Sequence, residues 1–96
     1  MKKNYYQNRL ERFKNIAKRL VDKHSAELYQ VYSYNVESKV VDDMYQDHFA
    51  NLGKELDSEA HDFIKVYNVQ QESLASEIWN TCSRYLQQFA QRNQPA

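Results

Sequence analysis

The sequence predicts an all-α protein of about four helices, with a long helix at its N-terminus. Only one of its 96 residues is glycine and only one is proline, whereas strand-rich domains use many of both at their turns. Apolar residues also recur at spacings of three and four along most of the chain, which is the periodicity of one helix face. A chain of this length makes one domain, so we expect a single helical domain over residues 1–96.

The first helix is predicted from about Asn4 to the low thirties, because no glycine or proline interrupts its apolar stripe. That stripe consists of Tyr6, Leu10, Phe13, Ala17, Leu20, His24, Leu28 and Val31. A break is expected near Ser33–Asn35, with Asn35 as the N-cap of the next helix. At about 1.5 Å per residue, the basic helix over residues 1–34 is over 40 Å long. A core of this size cannot cover it all, so part of the helix should project or meet a second copy in a homodimer.

The other helix boundaries are predicted from turn and capping residues. Gly53 suits the C′ position that ends helix 2, because glycine adopts a left-handed backbone at little cost. Asp57 or Ser58 can then cap helix 3. Asn68, followed three residues later by Gln71, resembles the capping box of helix 4.

Charge is distributed unevenly along the chain. Residues 1–30 carry eight Lys/Arg and three acidic side chains, a net charge of +5, and residues 31–96 carry −5. Such asymmetry is typical of a basic arm that binds nucleic acid. It equally suits two halves that attract each other. The basic residues of helix 1 therefore allow three interpretations: an ordinary solvated helix, a DNA-binding surface or a protein-docking surface.

Several features predict a soluble protein of the cytoplasm. The single cysteine excludes an intramolecular disulfide and suits a reducing compartment. No apolar run approaches the roughly 20 residues that span a bilayer. The charged N-terminus lacks the apolar segment of a secretory signal.

Catalytic and metal-binding patterns are not found in the sequence. Asp43, Asp47 and His48 could line one helix face as metal ligands, but a solvated acidic face is the favoured interpretation. His24 lies on the apolar stripe of helix 1, which indicates a core or interface histidine. Cys82 falls in the apolar pattern of helix 4 and is expected to be a buried, inert thiol. We therefore expect no catalytic residue, no cofactor and no metal.

Tyrosine is unusually frequent, with eight residues in the chain. Tyrosine is enriched at protein interfaces, because it combines apolar area with a polar tip. The group Tyr29, Tyr32 and Tyr34 is difficult to bury in one small core, which favours a partner or a dimer.

Three segments resemble corresponding stretches of the phage Gam proteins, which inhibit the host RecBCD nuclease. These segments are "YYQNRLE" (Tyr5–Glu11), "DHF" (Asp47–Phe49) and "QESLASEI" (Gln71–Ile78). The resemblance spans about Tyr5 to Phe89. It implies an all-helical homodimer whose long N-terminal helices project, and which binds the nuclease at its DNA site so that linear phage DNA survives.

Two groups of residues are the predicted partner-binding sites. The first group lies on the tip of helix 1 and consists of Tyr5, Tyr6, Arg9 and Arg12. The second group consists of carboxylates that could mimic DNA phosphates, namely Asp42, Asp43, Asp47, Glu55, Asp57, Glu59 and Asp62. The alternatives are a small DNA-binding protein that uses the basic helix, or a helical docking module for another host defence enzyme.

Overall fold

The computed structural model describes residues 2–34 and 37–94, and every regular element in these ranges is a helix. The all-α prediction is therefore confirmed, but the chain forms three helices where four were expected. The helices are α1 (Lys2–Tyr32), α2 (Ser38–Val66) and α3 (Glu72–Asn93). They run up, down and up, and each packs against the other two. The bundle is a rod with extents of 52 × 19 × 19 Å.

The core of the rod consists of two apolar clusters stacked along its axis. The first cluster contains Leu10, Phe13, Ala60, Phe63, Leu74 and Ile78. The second cluster contains Ala17, Val21, Leu28, Tyr45, Leu52, Leu56 and Phe89. Each fully buried large apolar side chain contributes about 1.5–3 kcal/mol relative to exposure. Every helix supplies residues to both clusters, so no pair of helices can bury this surface without the third.

Helix α2 continues through Gly53, and the prediction that a helix ends there is wrong. Asp57 and Ser58, expected as caps, also lie inside α2. The apolar stripe explains the continuity, because Leu52 and Leu56 are buried on either side of the glycine. A glycine inside a helix costs about 1 kcal/mol relative to alanine, which is less than the burial of one of these leucines contributes.

Asn68 ends α2, and its predicted capping box with Gln71 is wrong. The φ of Asn68 is +49°, a left-handed conformation that asparagine tolerates better than most residues. The backbone N–H of Asn68 donates to the carbonyl of Lys65 (3.2 Å), and that of Val69 donates to Ile64 (2.9 Å). These two bonds form a Schellman motif with asparagine at C′. Gln71 occupies the N-cap position of α3, with no capping hydrogen bond from its side chain.

The connection between α1 and α2 begins where the sequence predicts a break. Helix α1 ends at Tyr32, and the N–H of Ser33 donates to the carbonyl of Tyr29 over 3.1 Å. Asn35, the predicted N-cap, lies outside the described residues. Glu37 occupies the N-cap position of α2, with no capping hydrogen bond from its side chain.

Helix α1 packs against the other helices from Tyr6 to Tyr32, so this part of it does not project, and contact with a second copy stays a prediction. Tyr6 packs against the first core cluster and Tyr32 against the second. The continuity of α2 explains why α1 does not project there. With 29 residues against the 31 of α1, an unbroken α2 is long enough to cover its neighbour.

Replacement of Gly53 by alanine tests the continuity of α2. A Cβ at this position would meet the Leu86 side chain at 3.9 Å, an ordinary contact. Gly53→Ala should therefore stabilise the protein by about 0.5–1 kcal/mol, which raises Tm by roughly 2–8 °C in a domain of this size. Thermal unfolding followed by circular dichroism measures the change.

The matched control is Ala50→Gly, at an exposed position of the same helix, which should lower Tm by a similar amount. If Gly53 held a left-handed C′ position, alanine would lower Tm instead.

Candidate functional site

The structure places all seven predicted carboxylates on one unbroken helix. Five of them are exposed on α2, namely Asp42, Asp43, Asp47, Asp57 and Asp62. They extend over 20 residues, or about 30 Å of helix. Glu55 and Glu59 are half-buried. We call the five exposed residues the acidic surface of α2; they spread around the solvent side of the helix and do not form a single row.

Exposed cations compensate the acidic surface only in part. Helix α2 carries seven carboxylates and three lysines, a net charge of −4. Lys39 Nζ lies 3.5 Å from Asp43, and His61 Nε2 lies 3.7 Å from Asp57. All four side chains are well exposed, and such ion pairs contribute little to stability. Both carboxylates therefore remain accessible to a partner of positive charge.

The arginines predicted to contact a partner also hold α1 against the end of α2. Arg9 Nη1 donates to the backbone carbonyl of Tyr67 over 3.0 Å, and Arg12 Nη1 donates to the Tyr67 hydroxyl over 2.8 Å. Both guanidinium groups also lie over the Tyr67 ring, at 5.2 and 5.9 Å from its centroid. Cations are favoured there, because the end of a helix carries partial negative charge. Tyr6 is half-buried, and the Tyr5 side chain lies outside the described part of the structure.

The other exposed cations of α1 do not share one environment. Lys18, Arg19 and Lys23 are exposed, and Lys18 lies on the α3 side of α1, beside Tyr85 and Arg92. Along the rod, Arg19 lies between the Arg12–Tyr67 contact and the His24–His48 contact. The stretch of α2 between these two contacts carries four carboxylates, which weakens the attraction of Arg19 for DNA phosphates.

A cluster of histidines and glutamates joins α1 to α2 near the middle of the rod. His24 is buried, with 4% of its surface exposed, which confirms the prediction that it lies in the core. Its Nδ1 lies 2.8 Å from His48 Nδ1, and its Nε2 lies 3.0 Å from Glu55 Oε2. Glu27 Oε2 is 3.7 Å from His48 Nδ1. We call these four residues the histidine cluster.

The hydrogen bonds of the histidine cluster indicate which ring nitrogens of His24 and His48 carry a proton. A carboxylate only accepts, so His24 Nε2 carries the proton and donates to Glu55. The Nδ1 of a neutral His24 then has a free lone pair and accepts from the Nδ1–H of His48. Both ring nitrogens of the buried His24 then have a hydrogen-bond partner. A buried ring nitrogen without a partner would cost about 1–3 kcal/mol of folding stability.

Sequence reasoning grouped His48 with the wrong partners. Asp43 and Asp47 are exposed, whereas His48 faces α1. His48 and Glu55 are seven residues apart, two turns of one helix face, and His24 and Glu27 are three apart on the other helix. These spacings indicate two polar faces, but only the antiparallel alignment of α1 with α2 shows that the faces meet.

Cys82 is a poor nucleophile in this fold. Its Sγ–H donates to the carbonyl of Leu56 over 3.6 Å. Burial, with a smaller effect from the negative charge of Asp57, raises the pKa of the thiol from 9.0 to about 11. The reactive thiolate is therefore scarce near neutral pH.

Comparison of the chain with protein-family models, with curated proteins and with solved structures gives no match in any of the three. The resemblance to the Gam proteins therefore stays a prediction. Within the described residues, no helix is both long and apolar enough to cross a membrane.

The reactivity of Cys82 tests its burial. The pKa of about 11 implies that the native thiolate fraction at pH 8 is about a hundredfold below that of an unfolded thiol with a pKa near 9. Alkylation by iodoacetamide should therefore be slower by about that factor in native protein than in denaturant. The native rate should rise roughly tenfold per pH unit up to about pH 10. Equal rates in both states would show that Cys82 is accessible and ionises normally.

Proposed function

We propose that this chain is a non-catalytic inhibitor that binds the RecBCD exonuclease of a host cell and blocks its DNA site, so that linear phage DNA survives. The observation that carries the proposal is the acidic surface of α2, held on one rigid helix of a narrow rod. Proteins that bind DNA present cations to its phosphates. A rod that presents carboxylates over about 30 Å can compete for the same cations.

The shape and charge of the rod agree with a DNA-like occupant. The rod is elongated and narrow, with a backbone that extends 52 Å along its axis and 19 Å across it. The rod carries far fewer negative charges per unit length than DNA does, because a duplex has one per roughly 1.7 Å of its axis. Contacts of other kinds must therefore add to the affinity. Tyr29 and Tyr34, which are 74% and 79% exposed, suit such contacts, either with the enzyme or with a second copy in a homodimer.

The arginines of the α1 tip have a structural role besides the predicted role at a partner surface. Arg9 and Arg12 are bonded to Tyr67, so replacing them changes the packing of α1 on α2 as well as any partner surface. The acidic surface is the better place to test binding, because exposed side chains are replaced at little cost in stability.

Direct DNA binding through α1 is the weaker alternative. Two of its candidate cations, Arg9 and Arg12, already have partners within the chain. The exposed Lys18, Arg19 and Lys23 remain, and Lys18 lies apart from the others on the α3 side of α1. A helical docking module for another defence enzyme would use the same acidic and tyrosine surfaces.

An exonuclease assay on linear duplex DNA separates these functions. RecBCD and DNA are varied separately while this protein is titrated. Inhibition should saturate in proportion to the enzyme, because the enzyme is the proposed target. Inhibition that scales with DNA would instead mean that the protein coats the substrate. No protection in either series would contradict the proposal and would favour a different protein partner.

A pair of charge variants tests whether the acidic surface of α2 is the contact with the enzyme. Asp43→Asn/Asp47→Asn should raise the concentration needed for half-inhibition about fivefold to tenfold, if each exposed charge contributes about 0.5–0.7 kcal/mol. The matched control, Glu11→Gln/Glu72→Gln, removes the same charge from exposed positions of α1 and α3 and should leave inhibition unchanged. Equal effects of the two variants would exclude the acidic surface of α2 as the specific contact.

A further inference from the structure

We propose that the histidine cluster is a binding site for a divalent transition metal ion of borderline softness, Zn²⁺ above all. Its ligands would be His24 Nδ1, His48 Nδ1 and the Glu27 carboxylate, with water in the fourth position. The inference goes beyond the proposed function and does not depend on it. Helical bundles commonly build metal sites in this way, from side chains that face each other across two helices.

The ligand atoms are already close to the geometry of a zinc site. One atom from each of His24, Glu27 and His48 lies within 4.8 Å of the other two. Two imidazole nitrogens bound to a tetrahedral zinc at about 2.0–2.1 Å stand roughly 3.3 Å apart. The Nδ1 atoms of the two histidines are 2.8 Å apart, and Glu27 Oε2 is 3.7 Å from His48 Nδ1. Side-chain shifts of about half an ångström would reach the zinc geometry.

Glu55 prepares His24 to be a ligand. Its carboxylate accepts the Nε2–H of His24 over 3.0 Å, which leaves the lone pair on Nδ1 and holds the ring in place. A carboxylate on the far nitrogen of a metal-binding histidine fixes the tautomer and makes the ligand more basic. The half-buried position of Glu55 limits competition from water.

Zinc would take the place of the hydrogen bond between the two histidines. By the proton assignment above, the shared proton lies on His48 Nδ1, which donates to His24 Nδ1. To bind metal, His48 takes its other neutral tautomer, with the proton on Nε2, and both Nδ1 lone pairs then point at the ion. Neutral imidazole and carboxylate are the ligand types that Zn²⁺ accepts, and the charge of Glu27 offsets part of the ion's charge. The buried His24 and the half-exposed Glu27 place the ion at the edge of the core, where it can enter from solvent.

The bound ion would cross-link α1 to α2 through ligands from both helices. Each helix contributes a histidine ligand, and α2 also supplies Glu55. An ion that binds only the folded chain stabilises it by mass action. Zinc should therefore raise Tm in a concentration-dependent way.

Titration of the full, untagged chain with ZnCl₂ near neutral pH tests the site. Calorimetry should give one zinc per chain with a micromolar or lower Kd, and zinc should raise Tm. Co²⁺ in place of Zn²⁺ should show the intense visible absorption of a four-coordinate ion. Mg²⁺ at the same concentration should have no effect, because it prefers oxygen ligands and octahedral geometry.

Four variants identify the ligands. Glu27→Gln should raise the Kd for zinc at least tenfold, and His48→Gln should abolish binding. Glu55→Gln should raise the Kd about tenfold to a hundredfold, as expected for the partner of a ligand. His61→Gln is the matched control, because His61 is an exposed histidine of the same helix, and it should bind zinc like the unmodified chain.

Circular dichroism establishes that each variant is folded before the titration. His48→Gln keeps an N–H that can donate to His24, so the fold should survive. The proposal is overturned if the unmodified chain binds no zinc at millimolar concentration. It is equally overturned if folded His48→Gln binds zinc normally, or if His61→Gln weakens binding as much as His48→Gln does.

Discussion

The pairing of α1 with α2 along their full lengths is the constraint on which the rest of the structure depends. The chain is strongly polar, with a mean hydropathy of −0.92, so each helix has only a narrow apolar stripe to bury. Polar contacts align α1 with α2 at two levels: Arg9 and Arg12 on Tyr67 at one end, and His24 on His48 and Glu55 further along. Asn93 aligns α3 with α1 near the other end of the rod. There the Asn93 amide donates to Ser25 Oγ over 2.9 Å, and the Tyr32 hydroxyl donates to the Asn93 carbonyl over 2.8 Å. If α2 were shifted along α1 by one helical turn, about 5.4 Å, all of these polar contacts between α1 and α2 would be lost together.

The sequence predicts the parts of this arrangement that local patterns decide. The helical class follows from periodicity and from the scarcity of glycine and proline, and the end of α1 at Tyr32 lies next to the break that is expected near Ser33–Asn35. The burial of His24 follows from its place on an apolar stripe. The errors concern positions where tertiary packing outweighs local preference. Gly53 has the backbone freedom to end a helix, but the buried leucines on either side keep α2 continuous. Asn68 was assigned to the start of a helix, because an asparagine suits both an N-cap and a left-handed C′ position.

The candidate sites also combine features that local patterns predict with features that only tertiary packing creates. The acidic residues are evident from composition, but their position on one rigid helix follows only from the continuity of α2. The contacts of Arg9 and Arg12 with Tyr67 could not be predicted, because only the alignment of the helices brings these residues together. The histidine cluster combines residues that are 21 to 31 positions apart between the helices, and no local motif connects such positions. The continuity of α2 therefore creates the acidic surface, and the alignment of α1 with α2 creates the proposed metal site within the same stretch of α2.

The most direct test of this alignment is an NMR measurement of the scalar coupling between His24 Nδ1 and His48 Nδ1 in ¹⁵N-labelled protein without added metal. A hydrogen bond between the two nitrogens transmits a coupling that is absent between unbonded rings. The structure predicts a resolved coupling, with the proton of His24 held on Nε2 by Glu55 and that of His48 on Nδ1. No coupling, with both imidazoles exchanging freely between their tautomers, would contradict the alignment of α1 with α2 described above.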